Sequence, residues 1–253
     1  MVHRFSRTEM LIGREGLDIL AKSRVAVFGI GGVGSFAAEA LARSGVGTLV
    51  LVDYDDVCVT NINRQIHATT STVGRAKVEV MRDRILDINP EARVAAIKML
   101  YNSDSAGALL KKDYDYVIDA IDMVTAKLDL ITRCTSMGIP IISSMGAGNK
   151  LDPTLFKVAD IYETSTCPLA KVIRKELRKR NVGALKVVYS VENPVPQRSG
   201  SRDEGTGDGR SDEKMDGAVR KNVPGSISFV PSAAGLILAA EVVKDLLARG
   251  RKK

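Results

Sequence analysis

The chain has no tryptophan, and aromatic residues make up only 4% of its 253 positions. Its core must therefore be aliphatic, as the two-sided strands of parallel sheets are. Cysteine is almost as scarce, with Cys58, Cys134 and Cys167 the three present. Three thiols rule out a disulfide framework and cannot by themselves complete a four-cysteine zinc site. The start lacks a basic leader with an apolar stretch and a small-residue cleavage site, so a cytoplasmic protein is expected. The longest apolar run, 233–243, is interrupted by Glu241 and followed by Lys244 and Asp245. It is too short for a transmembrane segment and suits a core helix. Acids fall short of bases, 30 against 37, for a formal charge of +7. That excess suits a polyanionic partner such as nucleic acid, or simply a solvated surface.

What the chain does have is concentrated between Arg24 and Asp53, RVAVFGIGGVGSFAAEALARSGVGTLVLVD. A buried-strand run, 25–28, leads into a turn carrying Gly29, Gly31, Gly32 and Gly34. A small-residue helix, 35–43, and a second apolar strand, 49–52, follow, and the unit ends on Asp53. This is the layout of a nucleotide-binding βαβ unit. The glycines let backbone approach phosphate, the helix N-terminus faces it with partial positive charge, and the acid can hold a ribose hydroxyl.

The rest of the pattern predicts an α/β fold, a Rossmann-like doubly wound and mostly parallel sheet. An amphipathic helix with a glycine break is expected over 8–22. A long polar connection spans 54–73, a length more often functional than idle. A helix over 74–88 stops at Asn89-Pro90. Strands are expected at 93–98, 116–119 and 140–143, with helices at 104–112 and 124–137. Beyond Gly146 the alternation changes, and 155–161 and 186–191 read as antiparallel additions flanking a helix at 169–180. Leu169, Val172, Ile173 and Leu177 share one face of that helix, and Lys171, Arg174, Lys175, Arg178 and Lys179 cover the rest. Residues 197–222 are nearly devoid of apolar content, so a disordered insertion is expected within one domain spanning 1–253. A last strand at 226–230 precedes a closing helix that begins at Pro231.

The long connection carries Asp53, Asp55, Asn61, Asn63, Arg64, Gln65 and His67, and Lys77 comes soon after. A dehydrogenase, suggested by the glycine turn alone, needs no such amides and cations beyond its ribose acid. A triphosphate does need them, because its outer phosphates extend past the glycine turn. A solvated loop and a surface lysine is the plainer alternative. Asp122 falls at the C-terminal edge of the sheet, where one carboxylate can hold phosphate-bound Mg²⁺, or else cap the next helix. For Asp119, inside the strand, a structural role is favoured.

Taken together, GxGGVGS, D-x-D-x-V-x-x-x-N-x-x-R-Q, G-x-x-K and D-x-x-D resemble the ubiquitin-activating-enzyme (ThiF/MoeB/HesA) superfamily. Its members adenylate a carboxylate with Mg-ATP. The resemblance implies that Gly32 lies against the phosphates and that Asp53 binds the ribose. Asn61, Arg64 and Lys77 would grip the phosphates, Asp122 would hold Mg²⁺, and Asp55 belongs to the same nucleotide motif. An N-terminal arginine of the superfamily can reach a partner subunit's ATP; Arg7 matches it, which implies a homodimer. Asn63-Arg64-Gln65-Ile66-His67-Ala68, Asp152-Pro153-Thr154 and Ser226-Ile227-Ser228-Phe229-Val230-Pro231 are most similar to the tRNA threonylcarbamoyladenosine dehydratase group. Those enzymes use ATP to cyclise the threonylcarbamoyl side chain of a tRNA base, so tRNA carrying threonylcarbamoyladenosine becomes the expected substrate.

The alternative within the superfamily is an adenylating activator of a ubiquitin-like sulfur carrier. Such enzymes usually carry two CxxC pairs, and this chain has none. A sulfur-transfer or redox protein stays open as a further partner. Cys167 stands where the dehydratases commonly have an acid, and a structural thiol is the preferred reading there. For His67, packing within the loop is preferred over acid–base work. The basic helix and the tail Arg249-Gly-Arg-Lys-Lys are candidates for contacting tRNA phosphates, or else are solvated.

Overall fold

A computed structural model describes residues 2–196 and 224–250. The sequence-predicted insertion at 197–222 and the end of the basic tail lie outside the described residues.

Helix α1 (Ser6–Lys22) leads into β1 (Arg24–Phe28), α2 (Gly34–Ser44) and β2 (Thr48–Asp53). Next come α3 (Lys77–Ile88), β3 (Arg93–Lys98), a one-turn α4 (Ala106–Leu109), β4 (Tyr116–Asp119), α5 (Val124–Met137) and β5 (Ile141–Ser144). The chain continues through β6 (Phe156–Asp160), α6 (Pro168–Lys179) and β7 (Lys186–Ser190), and α7 (Phe229–Gly250) follows. Seven strands form one sheet in the order β3-β2-β1-β4-β5-β7-β6. Neighbours run parallel except β6, which is antiparallel to β7.

The expectation of two antiparallel additions holds for β6 and fails for β7. Helix α6 lies between them and supplies the crossover that returns the chain parallel to β5. Helix α3 starts three residues later than periodicity suggests. Asp56 and Ala76 form an antiparallel bridge, flanked by Val57 N–H to Arg75 O and Lys77 N–H to Asp55 O. Residues 74–76 are thus committed to that short ladder, which sets Lys77 beside Asp55. The glycine break in α1 is present, with Gly13 at φ 75°.

Alternation along β1 and β2 sends side chains to opposite faces. Val25, Val27, Leu49 and Leu51 pack under α2, α3 and α7, while Ala26, Phe28, Val50 and Val52 meet the layer holding Leu130 and Cys134 of α5. Helix α7 buries Ala234, Leu238, Val242 and Leu246, a spacing of four that faces the sheet. It also passes so close to α2 that a Cβ on Gly235 would sit 2.3 Å from the Val33 carbonyl. Truncating Leu238 to Ala would cost about 2–5 kcal/mol at such a fully buried site.

Residues 226–230 do not form the expected strand. Phe229 and Val230 already belong to α7, with Pro231 in its first turn, where a missing N–H is tolerated. The preceding backbone is held by side chains instead, Asn63 Nδ2 donating to Ser226 O at 2.9 Å. Gly225 N–H donates to Asn149 Oδ1 at 2.7 Å. These links fold 224–228 over the C-terminal edge of the sheet.

Candidate active site

At that edge lies a cavity of about 400 Å³. Its floor is the turn between β1 and α2. Gly29 has φ 87°, and a Cβ there would stand 2.7 Å from the Ala120 carbonyl, so only glycine fits. Gly34 is needed for a different reason: its Cβ would meet Gly29 O at 1.8 Å. Gly29, Gly31 and Gly32 line the cavity, and Gly34 supports the turn from behind. Helix α2 begins here with no side-chain cap, so its N-terminal dipole is directed at the cavity without a competing side chain.

Asp53 closes β2 and binds back to the turn. Its Oδ2 accepts from Ile30 N–H at 2.6 Å and its Oδ1 from Asp55 N–H at 2.9 Å. Burial raises its pKa, and the Lys77 charge with these two N–H groups pulls it back. Lys77, with only 7% of its side chain exposed, donates to Asp55 Oδ2 at 2.6 Å; Asp55 itself is 42% exposed. Asn61 is oriented by a reciprocal cap, its Oδ1 accepting from Cys58 N–H at 3.0 Å. Arg64 Nη1 donates to Thr60 O and Asn63 Oδ1, both at 2.9 Å, and forms no ion pair among the described residues. Asp53, Asp55, Asn61, Arg64 and Lys77 all line the cavity.

Asp122 lines it from the opposite wall and is exposed. It makes no hydrogen bond or ion pair among the described residues, and Met123 rather than Asp122 occupies the N-cap of α5. The capping alternative is therefore excluded. Asp119 is fully buried and paired with Lys127, the structural role favoured for it. The sequence-predicted cations Arg64 and Lys77 and the acid Asp122, from three separate segments, face one space above the glycine turn. Arg7 does not line this cavity; it is exposed on α1.

The apolar wall was not anticipated from sequence. Met99, Leu100 and Met123 stand exposed beside Tyr101 and Ile121, an arrangement suited to a flat heterocycle. Met99-Leu100-Tyr101 directly follows β3, and the C-terminal ends of parallel strands are where such ligands bind. That placement was the available signal. Pro231 completes the rim: a Cβ on Gly32 would lie 3.2 Å from it.

His67 is buried with both ring nitrogens unpartnered, and burial, then Lys77 and Arg84, lower its pKa to about 4. It stays neutral near pH 7 and does not line the cavity, in line with packing rather than proton transfer. Cys167 is buried as the residue before α6. Among the described residues no group of three or more His, Cys, Asp or Glu could hold a metal, and no helix is long and apolar enough to cross a membrane. The cavity fits a magnesium nucleotide in another manner, with one unpartnered carboxylate, two cations and a glycine cradle, because Mg²⁺ is commonly held by one or two carboxylates plus phosphates.

A protein-family comparison matches residues 5–253 to the ThiF family. The chain belongs to the ThiF family. This ThiF-family chain is 52% identical over 248 residues to the tRNA threonylcarbamoyladenosine dehydratase of Bacillus subtilis, covering 98% of the chain and 96% of that relative. It is 40% identical to the Escherichia coli enzyme of the same name over 259 residues, covering 99% and 96%. Among solved structures, the E. coli dehydratase TcdA in complex with ATP superposes with a TM-score of 0.85 at 37% identity, covering 99% of this chain and 96% of that one. The ThiF-family fold expected from the sequence motifs is the fold observed.

Proposed function

We propose that this protein is an ATP-dependent tRNA threonylcarbamoyladenosine dehydratase, a single-domain cytoplasmic enzyme. The observation that carries this reading is the convergence of Arg64, Lys77 and Asp122 over the glycine turn, in a chain 52% identical to an enzyme of that name. One relative, the E. coli dehydratase TcdA, crystallised with ATP and with AMP, supports the choice of nucleotide.

The chemistry follows from the substrate. A carboxylate resists attack because its leaving group would be oxide. One carboxylate oxygen attacks the α-phosphorus of ATP, the bond to the β-phosphate breaks, and pyrophosphate departs. A nitrogen of the same side chain then attacks the activated carbonyl carbon and gives up its proton to solvent. AMP leaves with the carboxylate oxygen, so the base loses the elements of water. Because attacker and target share one side chain, no bimolecular encounter is needed and no protein nucleophile is required.

In this scheme Asp53 holds the ribose, and the Met99–Tyr101 wall receives the adenine. Asn61, Arg64 and Lys77 stabilise charge building on the phosphates, with Gly32 leaving room for them. Asp55 holds Lys77 in place until phosphate arrives. Mg²⁺, held by Asp122, would supply charge neutralisation across the phosphates. Arg7 acts in trans across a homodimer; exposed Met10 and Leu11 on the same helix are apolar surface such a partner would cover. Helix α6 contacts tRNA phosphates through Lys171 and Lys175, which are exposed and form no ion pair among the described residues.

The test is incubation with Mg-ATP and tRNA carrying threonylcarbamoyladenosine, followed by nucleoside mass spectrometry. Loss of one water from the modified nucleoside, with AMP and pyrophosphate in equal amounts, is expected. An unchanged nucleoside alongside adenylation of a small protein ending in Gly-Gly would replace this reading with the sulfur-carrier one.

A further inference from the structure

Lys127 lies on the buried side of α5, which also carries Leu130, Ile131 and Cys134. It and Asp119 are both completely excluded from solvent. A buried ammonium must find an acceptor for each proton, and this one does. Lys127 Nζ donates to Asp119 Oδ2 at 2.8 Å, Ser143 Oγ at 3.1 Å and Ser144 O at 2.9 Å. Ser143 Oγ–H donates to the same Oδ2 at 2.6 Å, and Asp119 Oδ1 accepts from Ile121 N–H at 3.1 Å.

The cluster ties three segments together beneath the cavity. From Asp119 the chain runs through Ala120 and Ile121 to Asp122, one wall of the site. From Ser144 it runs to Ala147 and Gly148, which also line the cavity. A buried ion pair is weak evidence for stability, since apolar replacements of similar volume are often as stable or more so. What it supplies in its place is fixed geometry for two neighbouring segments that line the cavity, after β4 and after β5.

We propose that Lys127 is a positioning residue: through Asp119 and Ser144 it fixes the loop bearing Asp122, and so sets the affinity for magnesium nucleotide. This rests on the assignment of Mg²⁺ to Asp122 made above. It adds that the assignment depends on a lysine that touches neither metal nor nucleotide.

Lys127→Met alone strands a buried carboxylate, so the working variant is Asp119→Asn/Lys127→Met. It keeps an acceptor for Ile121 N–H and removes the tie to Ser144. Ser143→Ala is the milder companion, removing one hydrogen-bonding hydroxyl and leaving both charges; it carries the test if the double variant does not fold. ATP binding is measured calorimetrically, with Mg²⁺ and with EDTA, in these variants, in Asp122→Ala and in their combinations. The double variant should bind Mg-ATP about 10–100-fold more weakly, the usual scale for losing a group that orients a ligand. Ser143→Ala should lose less in the same direction. Neither loss should appear in EDTA, and neither should add to that of Asp122→Ala. Wild-type Mg-ATP affinity in both variants, or losses that multiply with Asp122→Ala, would overturn the inference while leaving Asp122 as the magnesium ligand. An Asp122→Ala variant with wild-type Mg-ATP affinity would remove that assignment, and this inference with it.

Discussion

Two lysine–aspartate pairs flank the same cavity and differ mainly in their surroundings. Lys77 meets Asp55 at 2.6 Å, and Lys127 meets Asp119 at 2.8 Å. In the first pair the acid is 42% exposed and can be rehydrated if its lysine turns to an incoming phosphate. In the second, both partners are at 0% and every lysine proton is already committed. One pair can exchange a ligand and the other cannot. If Lys77 serves phosphate and Lys127 shapes the site, as proposed, then distance does not separate the two kinds of ion pair and the solvent exposure of the acid does.

The largest contrast between the pairs should come from replacing each lysine in turn. Lys127→Met should cost about 3–5 kcal/mol of stability, the scale for uncovering a buried charge, read as a lowered denaturant midpoint at unchanged m-value. Lys77→Met should leave that midpoint nearly in place and slow tRNA-dependent ATP cleavage by about 10²–10³-fold, the scale for losing a preorganised charge stabiliser. If the two effects came out the other way round, the exposure of the acid would have been the wrong criterion.

A third effect comes from His67, which carries no charge at neutral pH. Its pKa is about 4 in the folded chain, pushed down first by burial, against 6.5 for an unperturbed imidazole. The unfolded chain takes up a proton below pH 6.5 and the folded chain does not until about pH 4. Stability from this residue is therefore complete above pH 6.5 and is lost as pH falls toward 4, by up to ~3 kcal/mol. His67→Gln should flatten that part of a melting-temperature profile while leaving nucleotide affinity unchanged. An unaltered profile would mean that His67 is hydrated in solution. The smallest effect belongs to α6. With Lys171→Ala and Lys175→Ala combined, the slope of log affinity for tRNA against log salt should become shallower by about 0.7–0.9 for each phosphate no longer neutralised. Turnover at saturating tRNA should not change.

How much of this was legible in the chain varies with sequence distance. The βαβ unit was readable because its determinants are local: unbroken apolar runs, glycines forced by close backbone approach, and an acid at the strand end. Helix α5 was bounded correctly for the same kind of reason, since Gly138 takes φ 69° in its C-cap. The conformation of 226–230 was not legible. What holds that backbone is an asparagine 163 positions earlier, Asn63, and periodicity carries no trace of such a link. Lys127 was missed although a signal existed, a lysine spaced three, four and seven residues before Leu130, Ile131 and Cys134 on one helical face. Its partner Asp119 was seen, and the pairing between them was not.

The most direct measurement is a crystal structure of this protein with Mg²⁺ and a non-hydrolysable ATP analogue. The proposed phosphate site requires that Lys77 Nζ leave Asp55 for a phosphate oxygen while Lys127 Nζ still lies on Asp119. Phosphates bound away from Arg64 and Lys77, with Lys77 still paired to Asp55, would contradict it.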